Sequence, residues 1–302
     1  MPENSTLFDE KTRRKLEQLM LTASKVRMGA IKGERRSVKR GTSIEFADYR
    51  NYTPGDDLRR LDWNIYARLD RPLTKLYEDE EDLSVHVLLD VSASMDWPPL
   101  DLGAGEQHKF DYARRLAAGL AYVSLTTNDR LLITALTDGG LTHFGPARGR
   151  GYGVPMLNYV SGLRASGTVN LNEMLRAYAL RSGRPGLCLI ISDLFAPDGF
   201  LDGLNALLAK GHEIGIVHVL SPDEIEPPLA GDLRLIDVET GAAQEVSIDG
   251  AMRDLYIKRV NGWRDDLRAE CRRRGVHYIP VSTETAWEKV ILYDLRKLGL
   301  VK

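Results

Sequence analysis

Five apolar runs, each followed by a helical pattern, constrain the fold of this chain more than any other feature. Alternation of buried strands with helices is typical of a parallel sheet covered by helices. We therefore predict the α/β class, with a doubly wound and mostly parallel sheet. The runs lie at residues 83–90, 130–136, 186–192, 214–220 and 276–281.

Shorter patterns fill in the rest of this region. The segment LTHFG follows the Asp138-Gly139-Gly140 turn and predicts an antiparallel edge hairpin with the second strand. A separate hairpin is predicted at about residues 233–249. Helices are predicted at 107–127, 151–164, 170–182, 199–210, 249–274 and 285–299.

The N-terminal part of the chain has a different character. An amphipathic pattern predicts a helix over residues 9–30, and the following segment to residue 81 is charged, aromatic and rich in turns. Its apolar content is too small for a separate core. We therefore expect residues 1–82 to be an extension packed on a main domain formed by residues 83–302.

Composition favours a folded cytoplasmic protein. The chain has 302 residues, 43% of them hydrophobic, and 41 basic against 43 acidic residues. This balance gives no overall reason to expect a nucleic-acid partner or membrane insertion. Two cysteines do not suggest a disulfide framework, and no apolar stretch is long enough to predict a membrane span.

Two stretches of the extension leave alternatives open. The run Lys32–Arg40 contains five cations in nine residues and suits nucleic acid, although the acidic segment 77–82 favours a solvated or salt-bridged face. The aromatic residues between Tyr49 and Tyr66 could stack on bases. Turn chemistry at Pro54-Gly55 favours packing instead.

The strongest candidate for chemistry follows the first apolar run. Asp90, Ser92 and Ser94 alternate at the predicted carboxyl end of that strand, where open α/β sheets bind ligands. One carboxylate and two hydroxyls supply too few ligands for Mg2+, which prefers about six coordinating oxygens. Thr168, just before a helix, and Asp193, directly after another strand, supply further oxygens.

This set of residues resembles the metal-ion-dependent adhesion site of von Willebrand factor A domains. The motif is Asp90-x-Ser92-x-Ser94, then Thr168 in a loop, then Asp193 at a strand end. The resemblance implies that the first and fourth strands are neighbours where the strand order reverses, so that Asp90 and Asp193 meet. It also implies Mg2+ or Mn2+ as the cofactor.

A second resemblance covers nearly the whole chain. The segment GERRSVKRGTSIEFADYRNYTPGDDLRRLDWNIYARLDRPLTKLYEDEED followed by VHVLLDVSASM is similar to the bacterial family called domain of unknown function 58. That resemblance implies an A-domain protein that works with a MoxR-type AAA+ ATPase. The chain departs from many A domains in having Leu194 where a glycine is common, and Asp96 adds a carboxylate near the loop.

Enzymatic alternatives have weaker support. Ser92 or Ser94 as a nucleophile would need a base and an oxyanion hole, and the G-x-S-x-G elbow is absent. A metal-dependent hydrolase, either phosphatase or nuclease, could use the same pocket, although neither D-x-D-x-T nor a phosphate-binding P-loop motif is present. We predict a non-enzymatic adaptor that binds an acidic side chain of a partner through the metal.

Overall fold

The structure is a computed structural model and describes residues 7–23, 46–77, 83–99, 107–228, 231–237 and 241–302. Its strands are β1 (Phe46–Asn51), β2 (Leu73–Tyr77), β3 (Ser84–Asp90), β4 (Arg130–Thr137), β5 (Gly140–Ala147), β6 (Leu187–Ser192), β7 (Glu213–Leu220), β8 (Gly231–Ile236), β9 (Ala243–Ile248) and β10 (His277–Ser282).

The helices are named in the same way. They are α1 (Glu10–Leu16), α2 (Trp63–Leu69), α3 (Lys109–Thr126), α4 (Gly153–Gly162), α5 (Leu171–Arg181), α6 (Leu201–Ala209), α7 (Pro222–Ile225) and α8 (Gly250–Arg273). A C-terminal helical segment joins Trp287–Lys289, the π-helical Val290–Asp294 and Leu295–Lys297. Single 3-10 turns occupy Leu58–Arg60, Ala93–Met95 and Arg150–Tyr152.

A mostly parallel six-stranded sheet lies at the centre of this mixed α/β fold, as predicted. The strand order is β10-β7-β6-β3-β4-β5, and only β5 runs antiparallel to its neighbour. The edge hairpin is therefore confirmed. The order reverses between β3 and β6, which pair directly, so the carboxyl ends of these two strands define the crevice where such sheets bind ligands.

Alternate side chains of β3 enter two apolar layers, one on each face of the sheet. Val85 and Val87 belong to the layer that α3 covers. Leu88 belongs to the opposite layer, which contains Leu175 of α5 and Leu204 of α6. All seven residues of β3 are buried, because helices cover the sheet on both faces.

The predicted N-terminal helix over residues 9–30 was too long. Helix α1 ends at Leu16, and Leu21 forms an antiparallel bridge with Val301 near the other end of the chain. The amides of Met20 and Thr22 donate to the carbonyls of Lys302 and Leu300 at 3.0 and 2.9 Å. Local periodicity cannot anticipate this pairing, because the partner lies at the opposite end of the sequence.

Two compact units divide the chain. One comprises Met1–Lys32 with Leu83–Lys302, and the other comprises Gly33–Asp82. The sequence pattern groups residues 1–82 as one extension, and that division stays a prediction. Packing of the extension on the main domain stays a prediction. The basic run Lys32–Arg40 lies outside the described residues.

The smaller unit pairs β1 with β2 in an antiparallel hairpin and carries α2 between them. Asp62 begins α2 by accepting hydrogen bonds from the amides of Asn64 and Ile65 at 3.0 and 3.1 Å. Its carboxylate also contacts Lys75 Nζ and Tyr49 Oη, each at 3.0 Å. Lys75 and the amide hydrogen bonds lower the pKa of Asp62 to about 2.

The predicted hairpin near residues 233–249 is present as β8 paired with β9. Within the described ranges, no helix is both long and apolar enough to cross a bilayer.

His86 and His212 form a pair of buried histidines near the amino ends of β3 and β7. His86 of β3 is only 6% exposed, and its Nδ1 lies 2.6 Å from the hydroxyl of Tyr178. The rings of His86 and His212 meet edge to face at 4.8 Å between centroids. Burial, followed by the neighbouring His212, lowers the pKa of His86 to about 3.

We predict that His86 makes the protein sensitive to mild acid. As the pH falls through about 6.5, the unfolded chain protonates His86 while the native state keeps it neutral. Between pH 7 and 5 this single group should remove about 2 kcal/mol of stability. Urea unfolding at pH 7 and 5 should show that His86→Leu loses this part of the pH dependence. Tyr178→Phe, which retains the buried imidazole, should keep it, and equal pH slopes in wild type and His86→Leu would contradict the assignment.

Candidate metal site at the carboxyl edge of the sheet

Asp90 is the last residue of β3, and the loop after it folds back onto its carboxylate. Oδ1 accepts a hydrogen bond from the Ser92 amide at 3.0 Å, and Oδ2 accepts one from the Ser192 hydroxyl at 2.6 Å. The chain then makes a short 3-10 turn, which brings Ser92 Oγ and Ser94 Oγ within 3.0 Å of each other. Asp90, Ser92 and Ser94 are all buried.

Asp193 directly follows β6, the strand that pairs with β3. Its Oδ1 accepts a hydrogen bond from the Phe195 amide at 3.1 Å, and the residue is 1% exposed. Leu194 between them has a φ of 57°, a left-handed conformation that costs a non-glycine residue about 1–2 kcal/mol. It is the position at which the resemblance described in the sequence analysis would imply a glycine.

The two aspartates interact through their charges. Burial, and then the negative charge of Asp193, raises the pKa of Asp90 to about 6. Hydrogen bonds from Ser192 and Ser92 oppose this shift without cancelling it. The pair is therefore a concentration of negative charge in a buried setting, which a cation would stabilise.

A buried lysine already contacts one of the two acids. Lys109, the first residue of α3, has a fully buried side chain whose Nζ lies 2.7 Å from Asp193 Oδ2 and 2.6 Å from Glu224 Oε1. Burial alone would lower the pKa of Lys109, but Asp193 and Glu224 outweigh it and raise that pKa. Burial also raises the pKa of Glu224 in spite of the lysine.

Sequence reasoning missed Lys109 and Glu224, although each had a signal. Lys109 opens a long helix that is rich in apolar residues, where a cation is out of place. Glu224 ends a Ser-Pro-Asp-Glu sequence directly after β7, and it closes a capping box with Ser221. A third strand-end loop therefore contributes to the site.

Thr168 occupies an adjoining loop and is exposed. That loop contacts the serine loop through backbone hydrogen bonds, from the Ala93 amide to the Gly167 carbonyl at 2.9 Å and from the Ser166 amide to the Val91 carbonyl at 2.8 Å. Among the described residues, Thr168 makes no side-chain hydrogen bond to the other four candidates. Its role as a metal ligand stays a prediction.

Asp96, the extra carboxylate of the loop, is 59% exposed at its side chain and contacts His108 Nε2 at 3.1 Å. It thus has a local partner at the start of α3.

The donor set suits a hard divalent cation. Asp90, Ser92, Ser94 and Asp193 present only oxygen atoms, which Mg2+ and Mn2+ prefer. In the described part of the chain, no three His, Cys, Asp or Glu side chains are grouped as metal ligands. An ion at this edge would therefore depend on the serine hydroxyls as well as on the two carboxylates.

The fold and this edge define an α/β protein whose candidate binding site lies at the switch point of a parallel sheet. Residues 48–266 match the model of the family described as protein of unknown function DUF58, and the chain belongs to that family.

Relatives of similar length occur in mycobacteria. Uncharacterized proteins of Mycobacterium bovis and Mycobacterium tuberculosis are each 29% identical over 286 residues, which cover 92% of this chain and 87% of theirs. Among solved structures, an aerotolerance-related membrane protein from Bacteroides fragilis has a TM-score of 0.43 and 18% identity, and the match covers 71% of this chain and 99% of that one. Proximal thread matrix protein 1 from the mussel byssus has a TM-score of 0.35 and 14% identity, over 46% of this chain and 38% of that one.

We predict that Lys109→Met destabilises the protein by about 3–5 kcal/mol, because it leaves Asp193 and Glu224 as buried acids without their cation. Urea unfolding at pH 7 measures the loss. Lys109→Met combined with Glu224→Gln should recover part of it, since one of the two stranded charges is gone. Lys210→Met, an exposed control, should change stability by less than about 0.5 kcal/mol. Equal stability of Lys109→Met and the control would contradict the buried charge network.

Proposed function

We propose that this protein binds a partner protein through a divalent cation, Mg2+ or Mn2+, held at a site of the von Willebrand factor A type. The observation that supports this most is that Asp90, Asp193 and the Ser92–Ser94 hydroxyl pair are all buried at one edge of the sheet, at its switch point. These residues, with Thr168, would hold the ion. The ion would supply an electrophilic centre for a carboxylate of the partner.

Charge balance favours a divalent cation at this edge. Asp90, Asp193 and Glu224 contribute three negative formal charges, and Lys109 contributes one positive charge, which leaves −2 in the buried cluster. A divalent ion would bring this sum to zero, and buried charges are tolerated best when they are balanced. A partner carboxylate would then be attracted by the ion itself, at an open coordination position, and not by a net positive charge of the cluster.

The partner that we propose is a MoxR-type AAA+ ATPase, as the sequence resemblance implies. An adaptor role needs an open coordination position and a surface around it, whereas hydrolysis also needs a positioned base. Of the nearby acids, Asp193 and Glu224 are both engaged with Lys109. This arrangement supports binding over catalysis.

We predict that Mg2+ stabilises the native protein through Asp90. A ligand at about 100 times its dissociation constant adds about 2.7 kcal/mol to the free energy of unfolding, which raises the melting temperature. Asp90→Asn should abolish this response, and Asp198→Asn, an exposed loop acid, should retain it. Without metal, Asp90→Asn need not be less stable than wild type, because it removes repulsion from Asp193. Equal Mg2+ responses in wild type and Asp90→Asn would contradict the metal site.

We also predict that the two serines act on partner binding through the ion. Ser92→Ala combined with Ser94→Ala should weaken binding to the MoxR-type ATPase in Mg2+ while leaving circular dichroism unchanged. EDTA should weaken binding of the wild type to a similar extent and add little to the double variant, since both changes act on one ion.

Affinity measured in those four conditions distinguishes the alternatives. Equal affinity in all of them would restrict the site to a structural role. Phosphatase or nuclease turnover by the pure protein, lost with Asp90→Asn, would favour a hydrolase.

A further inference from the structure

An apolar groove opens beside the candidate metal site. It has a volume of about 440 Å3 and is lined by Ser94, Leu194, Phe195, Pro197 and Trp263, among others. Ser94 is a proposed metal ligand, and the Phe195 amide donates to Asp193. A ligand bound at the ion would therefore have this groove immediately next to it.

Two aromatic rings form the centre of the groove. Phe195 and Trp263 stack with ring centroids 5.5 Å apart and an angle of 16° between their planes. The Lys109 ammonium lies 5.1 Å from the Phe195 centroid, and buried His218 packs edge to face on Trp263 at 4.9 Å. Phe195 is nevertheless 41% exposed. The rings are supported from within the fold and present an apolar surface to solvent.

A second groove of about 380 Å3 continues from the same two rings along helix α8. It is lined by Tyr256, Arg259 and Val260 as well as by Phe195 and Trp263. On the same half of α8, Met252 and Leu255 are 44% and 45% exposed. Exposed apolar side chains grouped on one helix, next to a polar site, mark a candidate protein-binding surface.

Both basic and acidic side chains border the two grooves. Arg259 lines the second groove and is exposed, and Arg253 and Lys258 are exposed on the same half of α8. Asp237 lines the first groove, and Glu224, which contacts Lys109, lines the second. The exposed cations of α8 would attract an acidic ligand to this rim.

We infer that the groove receives a peptide segment of a protein partner in which an Asp or Glu stands beside a large aromatic or aliphatic side chain. The carboxylate lies at the Asp90–Asp193 site and the apolar side chain packs on Phe195 and Trp263, with Arg259 at the rim. The inference deepens the proposed function and rests on it, because it specifies the partner segment that the same site recognises. Packing of the peptide's apolar side chain in the groove would add affinity, whereas the contact of its carboxylate with the metal would select only for a negative charge.

A selection from a random-peptide phage library on the full-length protein in Mg2+ tests this inference. Enriched peptides should pair an acidic residue with a nearby aromatic or large aliphatic residue. Replacement of that apolar residue by alanine in a synthetic, fluorescently labelled copy should weaken binding about tenfold or more in an anisotropy titration. Enrichment of peptides without this pairing, or no enrichment, would overturn the inference.

Variants of the protein provide matched controls. Trp263→Ala should weaken the selected peptide about tenfold or more, whereas Tyr293→Ala, which removes an aromatic side chain that is 65% exposed elsewhere, should not. Arg259→Glu leaves the core intact and should also weaken the acidic peptide, while Arg272→Glu, exposed at the other end of α8, should not. If Trp263→Ala and Arg259→Glu both melt as the wild type does and both bind the peptide as tightly, the inference that the groove receives the peptide is overturned.

Failure of the groove and failure of the metal site give different results. If EDTA and Asp90→Asn abolish peptide binding but Trp263→Ala does not, the metal site stands and the groove is wrong. If Trp263→Ala abolishes binding and EDTA has no effect, the groove binds peptide without the ion and the proposed function is wrong.

Discussion

The electrostatic coupling of Asp90 to Asp193 at the switch point of the sheet is the constraint on which the rest of the site depends. β3 and β6 are parallel neighbours, so Asp90 at the end of one strand and Asp193 directly after the other are both buried at the same edge, and burial together with Asp193 raises the pKa of Asp90. The surrounding structure compensates for that repulsion. Amides of the following loops donate to both carboxylates, and Lys109 bridges Asp193 to Glu224. The start of α3, the end of β6 and the loop after β7 are thereby fixed relative to one another.

Leu194 explains how one loop serves both the charged site and the apolar groove. Its left-handed conformation lies between Asp193, which is 1% exposed, and Phe195, which is 41% exposed. The turn therefore places the Asp193 side chain inside the site and the Phe195 side chain at the surface. Backbone strain of this kind persists only where the surrounding structure enforces it, and here the buried Leu194 side chain and the amide hydrogen bonds do so.

Most of the sheet could be predicted from the sequence, because apolar runs report directly on burial. The position of Asp90 at a strand end and of Asp193 directly after another strand followed from the same runs, whereas their meeting at one metal ion is what the family resemblance implies and stays a prediction. Features set by distant partners could not be predicted. Leu21 pairs with Val301 instead of continuing a helix, and Lys109 finds its acids on two other loops. Thr168 could be assigned only to a loop, since its side-chain direction depends on backbone detail that spacing does not encode.

The central claim is that a divalent cation binds between the two acids and the serine pair, and a crystal grown with Mn2+ tests it most directly. Mn2+ substitutes for Mg2+ at oxygen sites and is located by its anomalous scattering. The account predicts one strong anomalous peak in direct contact with a serine hydroxyl of the Ser92–Ser94 pair and with Asp90 or Asp193, at roughly the 2.0–2.1 Å that hard divalent ions adopt with oxygen. A fully formed Lys109–Asp193–Glu224 network with no peak at this edge, in saturating Mn2+, would contradict it.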